Sequence, residues 1–173
     1  LDHSLKVITS YKDERIRVFR RKENLGATIN YLELLKEVSG DYVALINSDD
    51  FWYPNKLRQQ VEFLNAHPDV AMCSCWATLV DENNNNLQIP DYANIFIQKN
   101  RSQTEWLRHF FLKGNCICHP GVLIRKEYYS RLNYYKIALR QLPDFDFWIR
   151  LIKIAPIHII QDTLVAHRRF INY

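Results

Sequence analysis

The chain has 173 residues, of which 47% are hydrophobic and 24% are charged, so it can bury a proper core and is neither disordered nor fibrous. Its net charge of +4 is too small for the strongly basic class of nucleic-acid-binding proteins. No apolar run reaches the roughly 18 residues of a membrane span. From the length of the chain, we expect one domain over residues 1–173.

The first half of the chain predicts alternating strands and helices. Residues 15–19 alternate in polarity like a short strand, and Ile29, Leu32 and Leu35 recur at helical spacing. Residues 42–46 are almost continuously apolar, which is typical of a strand buried on both faces in a parallel sheet. Pro54 then suits the first turn of a helix that ends near residue 67.

The second half continues this pattern in a less regular order. It predicts strands at residues 70–80, 122–124 and 157–165, helices at 104–112 and 144–154, and a turn at 83–86. The expected fold class is α/β, with a mixed, mainly parallel sheet flanked by helices.

Four cysteines form two C-x-C pairs, Cys73/Cys75 and Cys116/Cys118. Residues i and i+2 of a strand share one face, whereas zinc sites usually use C-x2-C or wider spacing. We interpret them as buried free cysteines in a reducing compartment, with thiol metal binding as the alternative.

Two adjacent acids, Asp49 and Asp50, follow the apolar run of residues 42–46. A solvated polar turn would explain them. Two neighbouring carboxylates repel each other, however, unless a cation or hydrogen-bond donors compensate. Magnesium-type sites often use one or two carboxylates together with substrate phosphates, so a divalent cation site is the second interpretation.

Five short motifs in order make the chain resemble glycosyltransferase family 2. They are Asn24-Leu25-Gly26 with Asn30, "SGDYVALINSDDFWYPNKLRQQVEFL", "HPDV", "GNCICHPGVLIRK" and "PDFDFWIRL". The resemblance runs from about residue 15 to residue 169. It implies a GT-A fold, which is Rossmann-like, and an inverting transfer of sugar from a nucleotide-diphosphate donor.

The resemblance implies a donor site on the first half of the chain. Asp49 and Asp50 match the acidic motif that holds Mn²⁺ or Mg²⁺, although Asn47 stands where the family usually has Asp. The implied nucleotide-binding residues are Asn24, Gly26, Asn47, Asp49 and Arg168. Asn24 to Gly26 could instead only begin a helix.

The resemblance implies an acceptor site on the second half. Asp144 matches the base that deprotonates the acceptor hydroxyl, with a helix cap as the alternative and Asp146 as the second choice of base. His119 matches the acceptor-side segment, and a structural histidine is the alternative. Trp52 could stack on a sugar, as could Trp148, or either could pack in the core.

We therefore predict a metal-dependent inverting glycosyltransferase in glycan, polysaccharide or glycolipid synthesis. Its partners would be a nucleotide-diphosphate sugar and a glycan or lipid-linked acceptor, and not nucleic acid. The expected location is the cytoplasm, with peripheral association at the inner face of the membrane left open. A non-catalytic nucleotide-sugar-binding module is the alternative, favoured by Asn47 and Pro143. Family domains open with strands that this sequence lacks, so we expect it to be incomplete at the N-terminus.

Overall fold

The structure is a computed structural model that describes residues 3–87, 94–139 and 141–169. The chain divides into two compact units, Leu1–Glu37 and Val38–Tyr173. The expectation of a single domain stays a prediction.

The first unit contains two helices, α1 (Ser4–Ser10) and α2 (Ala27–Glu37). Helix α2 confirms the helical spacing of its apolar residues, since Leu32 and Leu35 are buried. The strand predicted at residues 15–19 is wrong, because this segment is irregular backbone. Two arginines of this segment form salt bridges within the first unit, Arg15 with Asp13 and Arg17 with Glu37.

The second unit is built on a five-stranded sheet. Its strands are β1 (Tyr42–Ala44), β2 (Phe51–Trp52), β3 (Met72–Val80), β4 (Leu123–Arg125) and β5 (Ile157–Arg168), in the order β1-β4-β3-β5-β2. Only the β3–β5 pair is parallel among the four pairings of the described strands. The mixed α/β class is confirmed, but the expected mainly parallel pairing is not found.

Strand β1 differs from its prediction for a simple reason. It lies at one end of the described sheet and pairs with β4, so Val43 is its one buried residue. Ile46, which the sequence placed in the same strand, is outside it and exposed. A continuous apolar run is buried on both faces of a strand only when neighbouring elements of the fold cover both faces.

The described residues of the second unit form four α-helices: α3 (Lys56–Ala66), α4 (Gln103–Lys113), α5 (Glu127–Arg131) and α6 (Pro143–Ile152). Helix α3 begins after Asn55, so Pro54 precedes the helix instead of lying in its first turn. Helix α4 starts with a capping box between Ser102 and Glu105. The short strand β2 and helix α5 were not predicted.

The core lies between the sheet and these helices. Leu64 of α3 packs against Val70, Cys73 and Leu123, while Phe147, Trp148, Leu151 and Ile152 of α6 are buried. None of the helices in the described residues is long and apolar enough to cross a membrane.

Candidate active site

The Asn47–Asp50 turn lies between β1 and β2, where the backbone N–H of Asp50 donates to the carbonyl of Asn47 at 3.3 Å. Asp49 is exposed, whereas the side chain of Asp50 is fully buried. The two adjacent acids therefore have different environments, and the interpretation of a solvated turn does not fit Asp50.

Three donors surround the Asp50 carboxylate. Its Oδ1 accepts from Nδ1 of His167 at 3.0 Å and from the backbone N–H of Arg168 at 2.8 Å, and its Oδ2 accepts from Nδ2 of Asn47 at 2.8 Å. Burial raises the pKa of Asp50, but the bonds from His167, Arg168 and Asn47 together outweigh it and hold this pKa below its usual value. Asp50 thus joins β5 to the acidic turn.

Arg168 reinforces the same junction. Its guanidinium donates to the carbonyl of Asp49 at 2.8 Å, to the carbonyl of Asp81 at 2.7 Å and to Oδ1 of Asn84 at 2.7 Å. Three of the five N–H groups of this side chain are thereby used within the protein. The structure gives Arg168 a structural part, and its contact with a diphosphate stays a prediction.

Asp144 lies in the first turn of α6, directly after Pro143. Its Oδ2 accepts from Nδ2 of Asn115 at 3.1 Å. The Oδ1 of Asn115 accepts from the backbone N–H of Ile117 at 3.2 Å, so the orientation of this amide is fixed. The N-cap of α6 is Leu142, without a side-chain capping bond, and the interpretation of Asp144 as the cap is therefore wrong.

His119 opens a 3₁₀ turn, His119–Gly121, and its ring centroid lies 5.7 Å from that of Trp148, one helical turn after Asp144 in α6. Its Nε2 lies 3.2 Å from the hydroxyl of Tyr135. Burial lowers the pKa of His119, and the nearby carboxylate of Asp144 partly opposes this change. His119, Asp144 and Asn115 therefore form one polar group, and the sequence reasoning missed Asn115 and Tyr135.

Asp146, the second choice of base, is held by two cations. Its carboxylate lies 3.0 Å from Nζ of Lys136 and 2.7 Å from a guanidinium nitrogen of Arg150. Burial raises the pKa of Asp146, but Lys136 and Arg150 lower this pKa by more, so the pKa is below its usual value. The arrangement favours Asp144 over Asp146 as a proton acceptor.

Neither Trp52 nor Trp148 presents a fully exposed ring on which a sugar could stack. Trp148 is fully buried, so the core interpretation is right and a sugar contact is wrong for it. Trp52 is half-buried, its indole N–H donates to the carbonyl of Pro120 at 2.8 Å, and the ammonium of Lys56 lies 4.3 Å from its ring centroid. A substrate contact of Trp52 stays a prediction.

The implied nucleotide loop lies in the first unit. Gly26 has φ +80°, a conformation that favours glycine, and its N–H donates to Oδ1 of Asn24 at 3.0 Å. Its carbonyl accepts from the N–H of Asn30 at 3.3 Å in the first turn of α2. Asn24 and Gly26 therefore do begin a helix, and their nucleotide contact stays a prediction.

A metal ion would find few protein ligands here. Among the described residues, no three His, Cys, Asp or Glu side chains form a group that could hold one. Asp49 offers an exposed carboxylate, whereas the oxygens of Asp50 already accept three hydrogen bonds. This set fits a magnesium-type ion that shares its shell with ligand phosphates, and it does not fit a cage made of protein alone.

The four cysteines are free and buried, as the sequence predicted. Burial raises the pKa of Cys73 to about 12 and that of Cys75 and Cys116 to about 11. Among the described residues these thiols join no group of three or more possible metal ligands, so the alternative of a zinc site has no support.

Comparison with known proteins gives a family and a fold. The sequence model of "Glycosyl transferase family 2" matches residues 1–132. An uncharacterized glycosyltransferase of Methanocaldococcus jannaschii is 25% identical over 91% of this chain and 52% of its own length. An uncharacterized glycosyltransferase of Rickettsia felis is 30% identical over 94% of this chain and 26% of its own length. The chain thus spans between about a quarter and about half of the length of these relatives.

Among solved structures, residues 1–349 of S. aureus TarS in complex with UDP-GlcNAc give a TM-score of 0.74 over 97% of this chain and 46% of that 1–349 chain, at 16% identity. At this identity the likeness shows the fold alone. It confirms the expected GT-A class of mixed sheet and flanking helices.

Proposed function

The chain belongs to glycosyl transferase family 2, and from this premise we propose that it moves a sugar from a nucleotide-diphosphate donor to an acceptor hydroxyl with inversion at the anomeric carbon. The observation that carries the proposal is Asp144, which Asn115 holds beside His119 at the start of α6. The fold shared with TarS, whose structure contains UDP-GlcNAc, supports that molecule as the first donor to test.

The proposed reaction is a single displacement. Asp144 accepts the proton of the acceptor hydroxyl while the oxygen of that hydroxyl bonds to the anomeric carbon. The bond from this carbon to the diphosphate oxygen breaks at the same time. The neutral amide of Asn115 keeps the Asp144 carboxylate in one orientation, and correct placement supplies much of the acceleration.

Asp49 is the residue that would hold a Mn²⁺ or Mg²⁺ ion, which would supply positive charge to the departing diphosphate. Asp50 would act indirectly, because its bonds to His167 and Asn47 hold the turn that presents Asp49. We further propose a cytoplasmic location, which the four reduced cysteines support, and a glycan or lipid-linked acceptor.

One observation favours a second candidate function, that of a non-catalytic module that binds the donor. Asn47 brings no charge to the acidic motif, and its amide is used to bind Asp50. A protein that only binds the donor would need Asp49 but would not need Asp144.

The substitution Asp144→Asn in the full-length protein separates these candidates. If Asp144 is the base, we expect transfer from UDP-GlcNAc or another donor in a Mn²⁺-containing assay to fall by about 10²–10⁴-fold, with donor affinity unchanged. Asp162→Asn is the matched control, because Asp162 is exposed and lies on β5. Equal transfer by wild type and Asp144→Asn would remove the base assignment.

A further inference from the structure

Lys56 is a lysine whose ammonium lies inside the second unit. Only 1% of its surface is exposed, although burying a charge is costly unless partners compensate. Its Nζ donates to Oε1 of Gln60 at 2.7 Å, one helical turn along α3, and lies over the ring of Trp52. Burial lowers the pKa of Lys56 to about 8.

The partners of Lys56 both reach the His119–Gly121 turn. Nε2 of Gln60 donates to the carbonyl of Gly121 at 2.7 Å, and the indole N–H of Trp52 donates to the carbonyl of Pro120 at 2.8 Å. Two consecutive carbonyls of the turn are thereby bound by side chains of β2 and α3. Lys56 connects these two side chains.

The space around Gly121 in the His119–Gly121 turn is also limited. A Cβ at Gly121 would lie 3.3 Å from Oγ of Ser74 and 3.4 Å from Cβ of Cys118, so the turn packs closely on β3. Trp52, which follows the acidic turn, also packs against the buried cluster that contains Cys75 and Cys118, so the start of this segment lies near that turn.

These contacts join the two halves of the proposed site. Trp52 comes two residues after Asp50, and the turn that it binds begins with His119. We propose that Trp52, Lys56 and Gln60 are positioning residues, which hold the His119–Gly121 turn in register with the Asn47–Asp50 turn and thereby set the distance between acceptor and donor. This inference rests on the proposed function.

The first test removes the single bonds to the turn. Trp52→Phe keeps an aromatic ring over Lys56 but deletes the donor to Pro120, and Gln60→Met deletes the donor to Gly121. We expect each to raise the acceptor KM by about tenfold while the donor Kd stays unchanged. Trp76→Phe is the matched control, because the half-buried indole of Trp76 also donates to a carbonyl, that of Gln98, at 2.7 Å.

A purely structural role would give a different pattern. Amide hydrogen exchange of residues 116–122, measured on the same variants, should be faster in Trp52→Phe and Gln60→Met than in Trp76→Phe. Faster exchange with an unchanged acceptor KM would overturn the proposal, and so would unchanged exchange. Failure of the proposed function would appear separately, as a wild-type protein that transfers no sugar from any donor.

The second test uses the charge of Lys56. The titratable groups that face its ammonium are the thiols of Cys73, Cys75 and Cys118, whose pKa values burial raises to about 12, to about 11 and well above the usual value. The acceptor KM of the wild type should therefore rise as pH increases through about 8, when Lys56 loses its proton. Lys56→Met should remove this inflection, and Lys153→Met, at an exposed position, should keep it. An inflection that persists in Lys56→Met would contradict the proposal.

Discussion

The Asn47–Asp50 turn and the first turn of α6 each carry two aspartates, and both divide them in the same way. Asp50 is bound by donors of β5, more than a hundred positions away, and Asp146 is bound by the nearby cations Lys136 and Arg150. Asp49 is exposed, and Asp144 is held by a neutral amide. The comparison teaches that in each turn one acid stabilises the fold, which leaves the other available for the chemistry that we propose.

The largest expected effect concerns Asp49. Because its side chain would carry the metal contact, Asp49→Ala should reduce transfer by about a thousandfold in a Mn²⁺-containing assay. The free energy of unfolding should not change, since Arg168 binds the carbonyl of Asp49, which the variant keeps. Urea unfolding provides this control, and a strongly destabilised Asp49→Ala would break the comparison.

Asp50→Ala should show the opposite pattern. The substitution leaves His167, Asn47 and the N–H of Arg168 without their buried acceptor, so we expect the free energy of unfolding to fall by about 3 kcal/mol. Urea denaturation of wild type and variant at pH 7 measures the difference. A loss below about 1 kcal/mol would mean that other groups hold the acidic turn.

Asn115→Ala sharpens the comparison on the acceptor side. Without the amide, Asp144 keeps its charge but loses its fixed orientation, so transfer should fall by about tenfold. Asn115→Ser keeps a donor and should recover part of the activity, as measured by kcat/KM for the acceptor. A full loss of activity in Asn115→Ala with normal folding would instead place Asn115 in contact with substrate.

The sequence predicted the positions of these turns better than the roles of their residues. The motif order located Asp49 and Asp144, because a loop after a strand and the start of a helix have local signals. The difference between Asp49 and Asp50 could not be predicted, since it depends on His167, which lies more than a hundred positions later in the chain. The same limit applies to residues 15–19, whose strand-like alternation has no partner strand among the described residues. It also applies to Lys56, whose burial depends on Trp52 and Gln60.

The smallest expected effect is that of Asp146→Asn, and it depends on pH. Lys136 and Arg150 lower the pKa of the folded Asp146 below the unfolded value of about 3.9, so between these two pKa values the unfolded chain binds more protons. The stabilisation is therefore complete above the unfolded pKa and is lost as pH falls through the folded one. Because the pair is partly exposed, Asp146→Asn should cost only about 1 kcal/mol at pH 7. The cost should shrink towards zero at acidic pH, which urea unfolding at several pH values can measure, whereas a cost independent of pH would assign the stabilisation to packing instead of charge.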